Sequence, residues 1–479
     1  MSSPEHRFEA ATERAARVDQ LIDRLQPLFG DRLTTAEAVR KHHGRGESLH
    51  RLYPPDAVLF PRTTGEVASA VKACAELRLP VIPFGAGSSL EGQVEAREGG
   101  LCIDLTQMDT ILAVDQGNFD CHIEAGVTRE QLNAYLRDQG LFFPLDPGAN
   151  ATLGGMAATR ASGTNAVRYG TMRDVVMGLT IVTPSGEVVR TGNRARKSSA
   201  GYDLTRLYVG SEGTLGVITE LRLRLFGIPE EIASGVTQFE SLGHAVAAVT
   251  GILQMGIPIA RMELLDDLQM KACIAYSKLE GFEEKPTLFV EFHGSPASVR
   301  DQAEAAAMVI EDAEGSPLEW ATSQEERTRL WKARHEAWHA GRALAPGKES
   351  FATDACVPIP MLPEIIAETK TKAVESGLLC PIVGHVGDGN FHVMILFDPE
   401  NEDEAARAQG LADWVARQAI RCGGTCTGEH GVGVHKLAAV EEELGPAAGI
   451  MRSIKAALDP LNIMNPGKTL PAGDAVSGA

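Results

Sequence analysis

No uninterrupted apolar run in this chain of 479 residues reaches the roughly 18 needed to cross a bilayer as a helix, so no transmembrane segment is expected. No targeting segment is expected in residues 1–30 either. Residues 1–30 mix Glu5, Glu9, Glu13, Asp19 and Asp23 with arginines. They lack the apolar centre of a signal peptide, and their acids argue against a mitochondrial transit peptide. Cysteine is scarce: Cys74, Cys102, Cys121, Cys273, Cys356, Cys380, Cys422 and Cys426 are scattered too thinly for a disulfide framework. Cys422 and Cys426 form a close pair, but no second pair completes a zinc knuckle. Reduced, mostly buried thiols in a cytoplasmic setting are expected, with peripheral docking at a membrane left open. Positive charge is also short. Forty-five Lys+Arg against 64 Asp+Glu leave a net charge of −19, a field that repels phosphate backbones and anionic surfaces, so no nucleic-acid partner is expected. Two familiar phosphate loops are absent: a G-x-G-x-x-G starting at Gly85 meets Leu90 where it needs glycine, and no G-x-x-x-x-G-K-S/T occurs.

What is present is enough apolar residue, 44%, to build a core over a length that suggests about two to three domains. Val18, Leu21, Ile22, Leu25 and Leu28 fall on one face of an N-terminal helix. From Asp56 the periodicity switches to short strands and helices: strands at 57–60, 80–83 and 101–105, and a helix over 64–77 begun at Thr63 or Thr64. Hairpins are predicted at 111–124, around D-Q-G-N, and at 179–191, around P-S-G. Between them Thr128 caps a helix that runs through Arg137 and stops by Gly140. Longer helices follow at 298–314 and 324–344. This divides the chain into an N-terminal helical segment (1–50), a first domain (51–229), a second (230–470) and a small polar tail (471–479) expected to be mobile. The class is α+β, on the scale of a two-domain enzyme.

Three segments of the first domain are rich in small residues: P-F-G-A-G-S-S-L-E-G (83–92), D-P-G-A-N-A-T-L-G-G-M-A-A-T-R-A-S-G-T-N (146–165) and G-S-E-G-T-L-G-V-I (210–218). Glycine lets a backbone approach a phosphate or ring, and successive N–H groups make an anion-binding nest. In this order, with G-T-N-A-V-R-Y-G-T-M-R-D continuing the second segment, the sequence resembles the FAD-binding domain of the vanillyl-alcohol-oxidase type of flavoprotein. Within that group it resembles the FAD-linked D-lactate and other D-2-hydroxy-acid dehydrogenases, which do not use NAD. The resemblance covers residues 50–470 and is most specific over 154–174. It implies a two-subdomain FAD-binding domain, an α+β substrate and metal domain, and a C-terminal helical segment that returns to the flavin. FAD contacts are implied for Pro83, Phe84, Gly85, Ala86, Gly87, Ser88, Ser89, Pro147, Gly148, Thr152, Gly154, Gly155, Ala158, Ser162, Gly163, Glu212, Ile218 and Asn465. Some relatives attach the flavin through a histidine in the first glycine loop. Gly85-Ala86-Gly87 has none, so the FAD is expected to be non-covalent.

In the second domain, G-H-V-G-D-G-N-F-H places His385 and His392 at the two roots of one tight turn. Further on, G-E-H-G-V-G-V-H offers Glu429, His430 and His435. Two imidazoles and a carboxylate make a reasonable open site for Zn²⁺ or another divalent ion such as Mn²⁺. The resemblance implies that His385, His392 and Glu429 hold the metal and that His430 is the catalytic base. It also implies that Arg334, on a predicted helix, pairs bidentately with the substrate carboxylate, with Asn390 assisting near the metal. Relatives acting on D-2-hydroxyglutarate carry a lysine before the segment matching 354–358. Phe351-Ala352-Thr353 supplies no cation, and Lys348 is out of register, so a monocarboxylate such as D-lactate is favoured.

The expected activity is therefore oxidation of a D-2-hydroxy acid, D-lactate to pyruvate first, with electrons passed to a cytochrome, a quinone or an electron-transfer flavoprotein. Glycolate or D-2-hydroxyglutarate oxidation is the near alternative; a flavin-dependent alkyl transferase or a non-catalytic flavoprotein subunit is the distant one. A homodimer is among the assemblies left open.

Overall fold

The computed structural model describes residues 4–47, 52–195, 197–321 and 323–471, so the tail expected to be mobile lies, from residue 472 on, outside the described residues. The helix Thr64–Leu77 begins where expected. The Thr63 side chain accepts the Glu66 N–H, and Arg78 ends the helix in the left-handed region at φ 50°. Its neighbouring strands Ala57–Leu59 and Val81–Phe84 both run parallel to Leu101–Asp104, which sits between them. A helical crossover of this kind is what parallel strands require. Leu33–Thr34 adds an antiparallel edge, giving four strands.

The second sheet is antiparallel, in the order Ile111–Asp115, Asp120–Glu124, Val217–Arg224, Val176–Val182, Val188–Arg190, and contains both predicted hairpins. Along Val217–Arg224, Leu221 and Leu223 are buried while Arg224 faces solvent, the period of two of a sheet with one dry face. A capping box at Thr128 and Gln131 starts the helix Arg129–Leu136 between these strands. One apolar core joins the two sheets and the Thr64–Leu77 helix. It also takes in Leu21, Leu25 and Phe29 from the N-terminal helix and Ile463 and Met464 from the C-terminal strip. The N-terminal face differs from expectation at one position: Leu28 is 64% exposed, and Phe29 packs in its place. A spacing of four from Leu21 to Leu25 to Phe29 tracks the buried stripe better than one that includes residue 28.

The remaining chain builds an eight-stranded sheet. Its order is Glu319–Trp320, Glu231–Gln238, Thr287–Gly294, Arg261–Leu265, Ile382–Gly384, Asn390–Phe397 and Glu349–Ala352, with Ala355–Cys356 also pairing Asn390–Phe397. Both faces are covered. Leu264, Leu288 and Val290 enter a core under the helices Leu242–Gln254, Pro296–Asp312, Leu362–Ser376 and Glu402–Arg421. Leu265 and Phe289 enter another, against Met270, Trp331 and Ala337. The helix expected over 324–344 is two helices, Gln324–His335 and Ala337–Ala343, interrupted at Glu336. Since alternate residues of a strand share a face, Glu263 lies on the side of Leu265 and Trp331. His392 lies there too, through the register Leu265↔Val383↔His392.

One buried ion pair ties the N-terminal segment to the first sheet. His43 Nε2 is 2.8 Å from Asp104 Oδ2 and Nδ1 is 2.8 Å from the Val39 carbonyl, while the ring packs 4.4 Å from Phe84. Burial disfavours the imidazolium, but Asp104 and the carbonyl outweigh it and raise the His43 pKa. A raised folded pKa stabilises fully below the unfolded value of about 6.5 and is lost as pH rises through the folded one. The stability advantage of the native chain over His43→Gln, followed by denaturant titration from about pH 6 to 9, is therefore expected to shrink as pH rises. A difference independent of pH would contradict the charged pair.

Candidate active site

The three glycine-rich segments of the first domain come together. The first leaves the C-terminal end of the strand Val81–Phe84. The second carries the helix Leu153–Thr159, whose N-cap Thr152 accepts the Gly155 N–H. A Cβ on Gly85 would stand 2.3 Å from Thr152 Oγ1, and one on Gly213 2.8 Å from Pro83 Cγ. The Gly210 and Glu212 N–H groups donate to the carbonyls of Ala157 and Ala158, each at 2.9 Å. Glycine is required at 87 and 163 by φ values of +70° and +144°. Ser89 Oγ and Ser211 Oγ are buried without a hydrogen-bond partner among the described residues, as hydroxyls facing a bound polar group are.

Not every residue expected at FAD offers its side chain. Ile218 is buried in the first core, and a Cβ on Gly148 would meet nothing within 4 Å. Asn465 Nδ2 donates to the carbonyls of Gln93 (3.0 Å) and Glu212 (2.6 Å). The Glu212 carboxylate accepts N–H groups of Val432 and Gly433. The side chains of Asn465 and Glu212 thus join separate parts of the polypeptide.

In the second domain the turn after Ile382–Gly384, closed by Gly389 at φ 80°, brings His385 back toward His392, their ring centroids 5.4 Å apart. Glu429 Oε1 lies 3.1 Å from His385 Nε2 and 3.3 Å from His392 Nε2, and one donor atom from each of the three falls within 4.8 Å of the others. His430 stacks on His392 at 4.9 Å and 5°. His435 stands apart, 3.7 Å from Glu91 and 3.6 Å from Glu95. Burial disfavours a charged His430, but the nearby Asp354 and Glu91 carboxylates raise its pKa.

Two buried carboxylates organise this cluster. Asp354 Oδ2 accepts the N–H groups of Glu429 (2.9 Å) and His430 (2.7 Å) and the Thr427 hydroxyl (2.9 Å). Burial alone would raise it; His430, Lys436 and His392 hold it well below the usual range. Asn390 turns its amide to Asp354 Oδ1 (2.8 Å) and the Ala355 carbonyl, so it supports the loop from behind. Glu263, fully buried, takes His385 Nδ1 on one oxygen (2.7 Å) and Arg334 Nε (2.8 Å) and Nη2 (2.5 Å) on the other. Arg334 is thus a buried residue. Glu263 engages its Nε and Nη2.

Asp354, Glu263, Glu91 and Lys436 were not singled out by sequence. Glu263 did leave a signal: an acid between Met262 and Leu264 in a strand covered on both faces. Asp354 left none beyond its place in T-D-A-C-V-P.

A family model described as FAD linked oxidases, C-terminal domain, matches residues 228–469, and one described as FAD binding domain matches 55–192. The chain belongs to the FAD-linked oxidases. It is a flavin-dependent oxidoreductase, and FAD is its cofactor. Over 97% of its length it is 50% identical to "Probable D-lactate dehydrogenase, mitochondrial" of Danio rerio, covering 94% of that protein. It is 45% identical over 94% of its length to "D-lactate dehydrogenase (cytochrome), mitochondrial" of Arabidopsis thaliana, covering 80% of it. Similarity extends to "Glycolate oxidase subunit GlcD" of Bacillus subtilis, at 35% identity over 86% of this chain and 88% of that one. The fold is shared with p-cresol methylhydroxylase, with a TM-score of 0.77 at 18% identity over 95% of this chain and 97% of the other. It is also shared with alkyldihydroxyacetonephosphate synthase, at 0.74 and 21% over 94% and 84%. Among the described residues, no helix of this FAD-linked oxidase is long and apolar enough to cross a membrane.

Gly85→Ala tests the cradle. The added Cβ meets Thr152 Oγ1, so the variant is expected to fold yet keep less than about a tenth of the native flavin after gel filtration, read near 450 nm. Full flavin retention would remove Gly85 from the cradle.

Proposed function

We propose that this FAD-linked oxidase oxidises a D-2-hydroxy acid, D-lactate to pyruvate first, with dissociable FAD and a divalent metal. The observation that carries the reading is the convergence of His385, His392 and Glu429 beside the stacked, buried His430. FAD supplies the two-electron acceptor for the Cα hydride, and a metal on those three side chains supplies a Lewis acid for the substrate oxygens. The donor set suits Zn²⁺ or Mn²⁺, being two imidazoles and one carboxylate with positions left for substrate.

Within that frame, the imidazole of His430 takes the hydroxyl proton. Asp354 fixes where the ring stands by holding the main chain at 429 and 430. Arg334, its Nε and Nη2 on Glu263, keeps Nη1 for the substrate carboxylate and supplies the positive charge. A second substrate carboxylate meets no cation at 351–353, and Lys348 is tied to Glu404 at 2.7 Å, which supports a monocarboxylate. The relatives named D-lactate dehydrogenase support the same substrate. The acceptor in this reading is a cytochrome, a quinone or an electron-transfer flavoprotein. All eight cysteines are unpaired, which supports a reducing compartment, whether the cytoplasm or the mitochondrion for which several relatives are named.

The test is anaerobic mixing of the FAD-loaded protein with D-lactate, L-lactate, glycolate or D-2-hydroxyglutarate while flavin absorbance is followed. D-lactate is expected to bleach the flavin fastest; chelation abolishes this and Zn²⁺ or Mn²⁺ restores it. His430→Gln is expected to slow bleaching by about 10²- to 10⁴-fold with FAD retained. No bleaching by any hydroxy acid, in protein carrying both FAD and metal, would overturn the reading in favour of a transferase or a non-catalytic subunit.

A further inference from the structure

The loop that carries His430 is held from both domains. From the second domain Asp354 takes the N–H groups of 429 and 430. From the first, Glu212 takes the next pair. Its Oε1 accepts the Val432 N–H at 2.6 Å and its Oε2 the Gly433 N–H at 2.9 Å, with the Thr469 hydroxyl at 3.1 Å. Glu212 is 5% exposed, and it belongs to the same G-S-E-G turn whose N–H groups dock on the helix of the second glycine-rich segment. It sits there at φ 51°, a conformation that a side chain without a task at that position disfavours. Gln93, which directly follows the first glycine-rich segment, donates to the His430 carbonyl at 2.8 Å. Asn465 then ties the Gln93 and Glu212 carbonyls together. The network closes on itself and spans four parts of the chain.

We infer that Glu212 is a positioning residue: it fixes the His430 loop to the flavin cradle, so that the base and the flavin are held in one frame. The inference rests on His430 acting as the base. Loop and flavin belong to different domains, and without a contact between them the proton acceptor and the hydride acceptor would be placed independently. Displacement by an ångström of a group that must act in concert with another costs on the order of 100-fold in rate. Two N–H donors addressing two different oxygens specify a carboxyl group. In Glu212→Gln, whichever way the amide turns, an NH₂ faces an N–H.

The experiment uses the FAD-loaded full chain. Glu212→Gln is expected to keep its flavin, with KM for D-lactate within about threefold and the flavin reduction rate down by about 10- to 100-fold. Amide exchange over 430–434 is expected to accelerate while exchange over 153–159 stays unchanged. Gly433→Ala displaces the loop from the opposite side, since its Cβ would stand 1.9 Å from the Glu91 carbonyl. It should reproduce the slow reduction, and the double variant should lose little beyond the worse single one. Should Glu212→Gln fail to fold, Gly433→Ala decides: slow reduction with fast loop exchange supports the inference, and native reduction overturns it. Native reduction and exchange in Glu212→Gln would also overturn it, as would flavin loss with unchanged loop exchange, which would make Glu212 a flavin ligand. If the native protein is reduced by no hydroxy acid, the reaction reading fails on its own, and loop exchange still reports whether Glu212 holds the loop.

Discussion

The buried carboxylate of Asp354 is the constraint on which the site depends. Loop backbone in a protein interior must find partners for its N–H groups, and a glycine-rich loop has few side chains of its own to provide them. Asp354 supplies them for residues 429 and 430 while Asn390 satisfies its other oxygen. A desolvated carboxylate is tolerated there only because His430, Lys436 and His392 surround it with compensating charge. The position of the imidazole at 430 and the cost of burying Asp354 are thus set by the same contacts.

The eight-stranded sheet makes this arrangement rigid. Covered on both faces, it sends alternate residues into two cores, and the few polar residues on its inner rows, Glu263 and His392 among them, are held by packing as well as by hydrogen bonds. Glu263 then couples two side chains that sequence separates by 51 positions: it orients His385 through Nδ1 and grips Arg334. A carboxylate hydrogen-bonded to one imidazole nitrogen fixes which way the other nitrogen points, so its placement on a strand rather than a loop matters.

Much of the fold was legible in periodicity. The parallel crossover, both hairpins and the capped helices follow from local pattern and end-capping chemistry, which act over a few residues and leave a mark in the sequence. The misjudged points are instructive. Leu28 was placed on the buried face because a helical stripe leaves neighbouring positions ambiguous, and packing against the first sheet chose Phe29. The break at Glu336 lies in a stretch with no glycine or proline to announce it, and it arises where the chain turns to pack against the helix Asp267–Ser277.

For the site, residue types and spacing brought out His385, His392, Glu429, His430 and His435 and the three glycine-rich segments, while the metal, base and flavin roles among them were implied by the family resemblance. What each polar side chain touches was decided by tertiary structure alone. Beyond the flavin contacts that the resemblance implies for them, Glu212 and Asn465 join loops to one another. Asn390 turns away to Asp354, and Arg334 is engaged by a strand acid about seventy residues earlier. A hydrogen bond is directional and local in space but not in sequence. The chemistry available to this chain is written in its residues, and the pairing of those residues exists only in the folded chain, within the second domain for Asn390 and Arg334 and across both domains for Glu212 and Asn465.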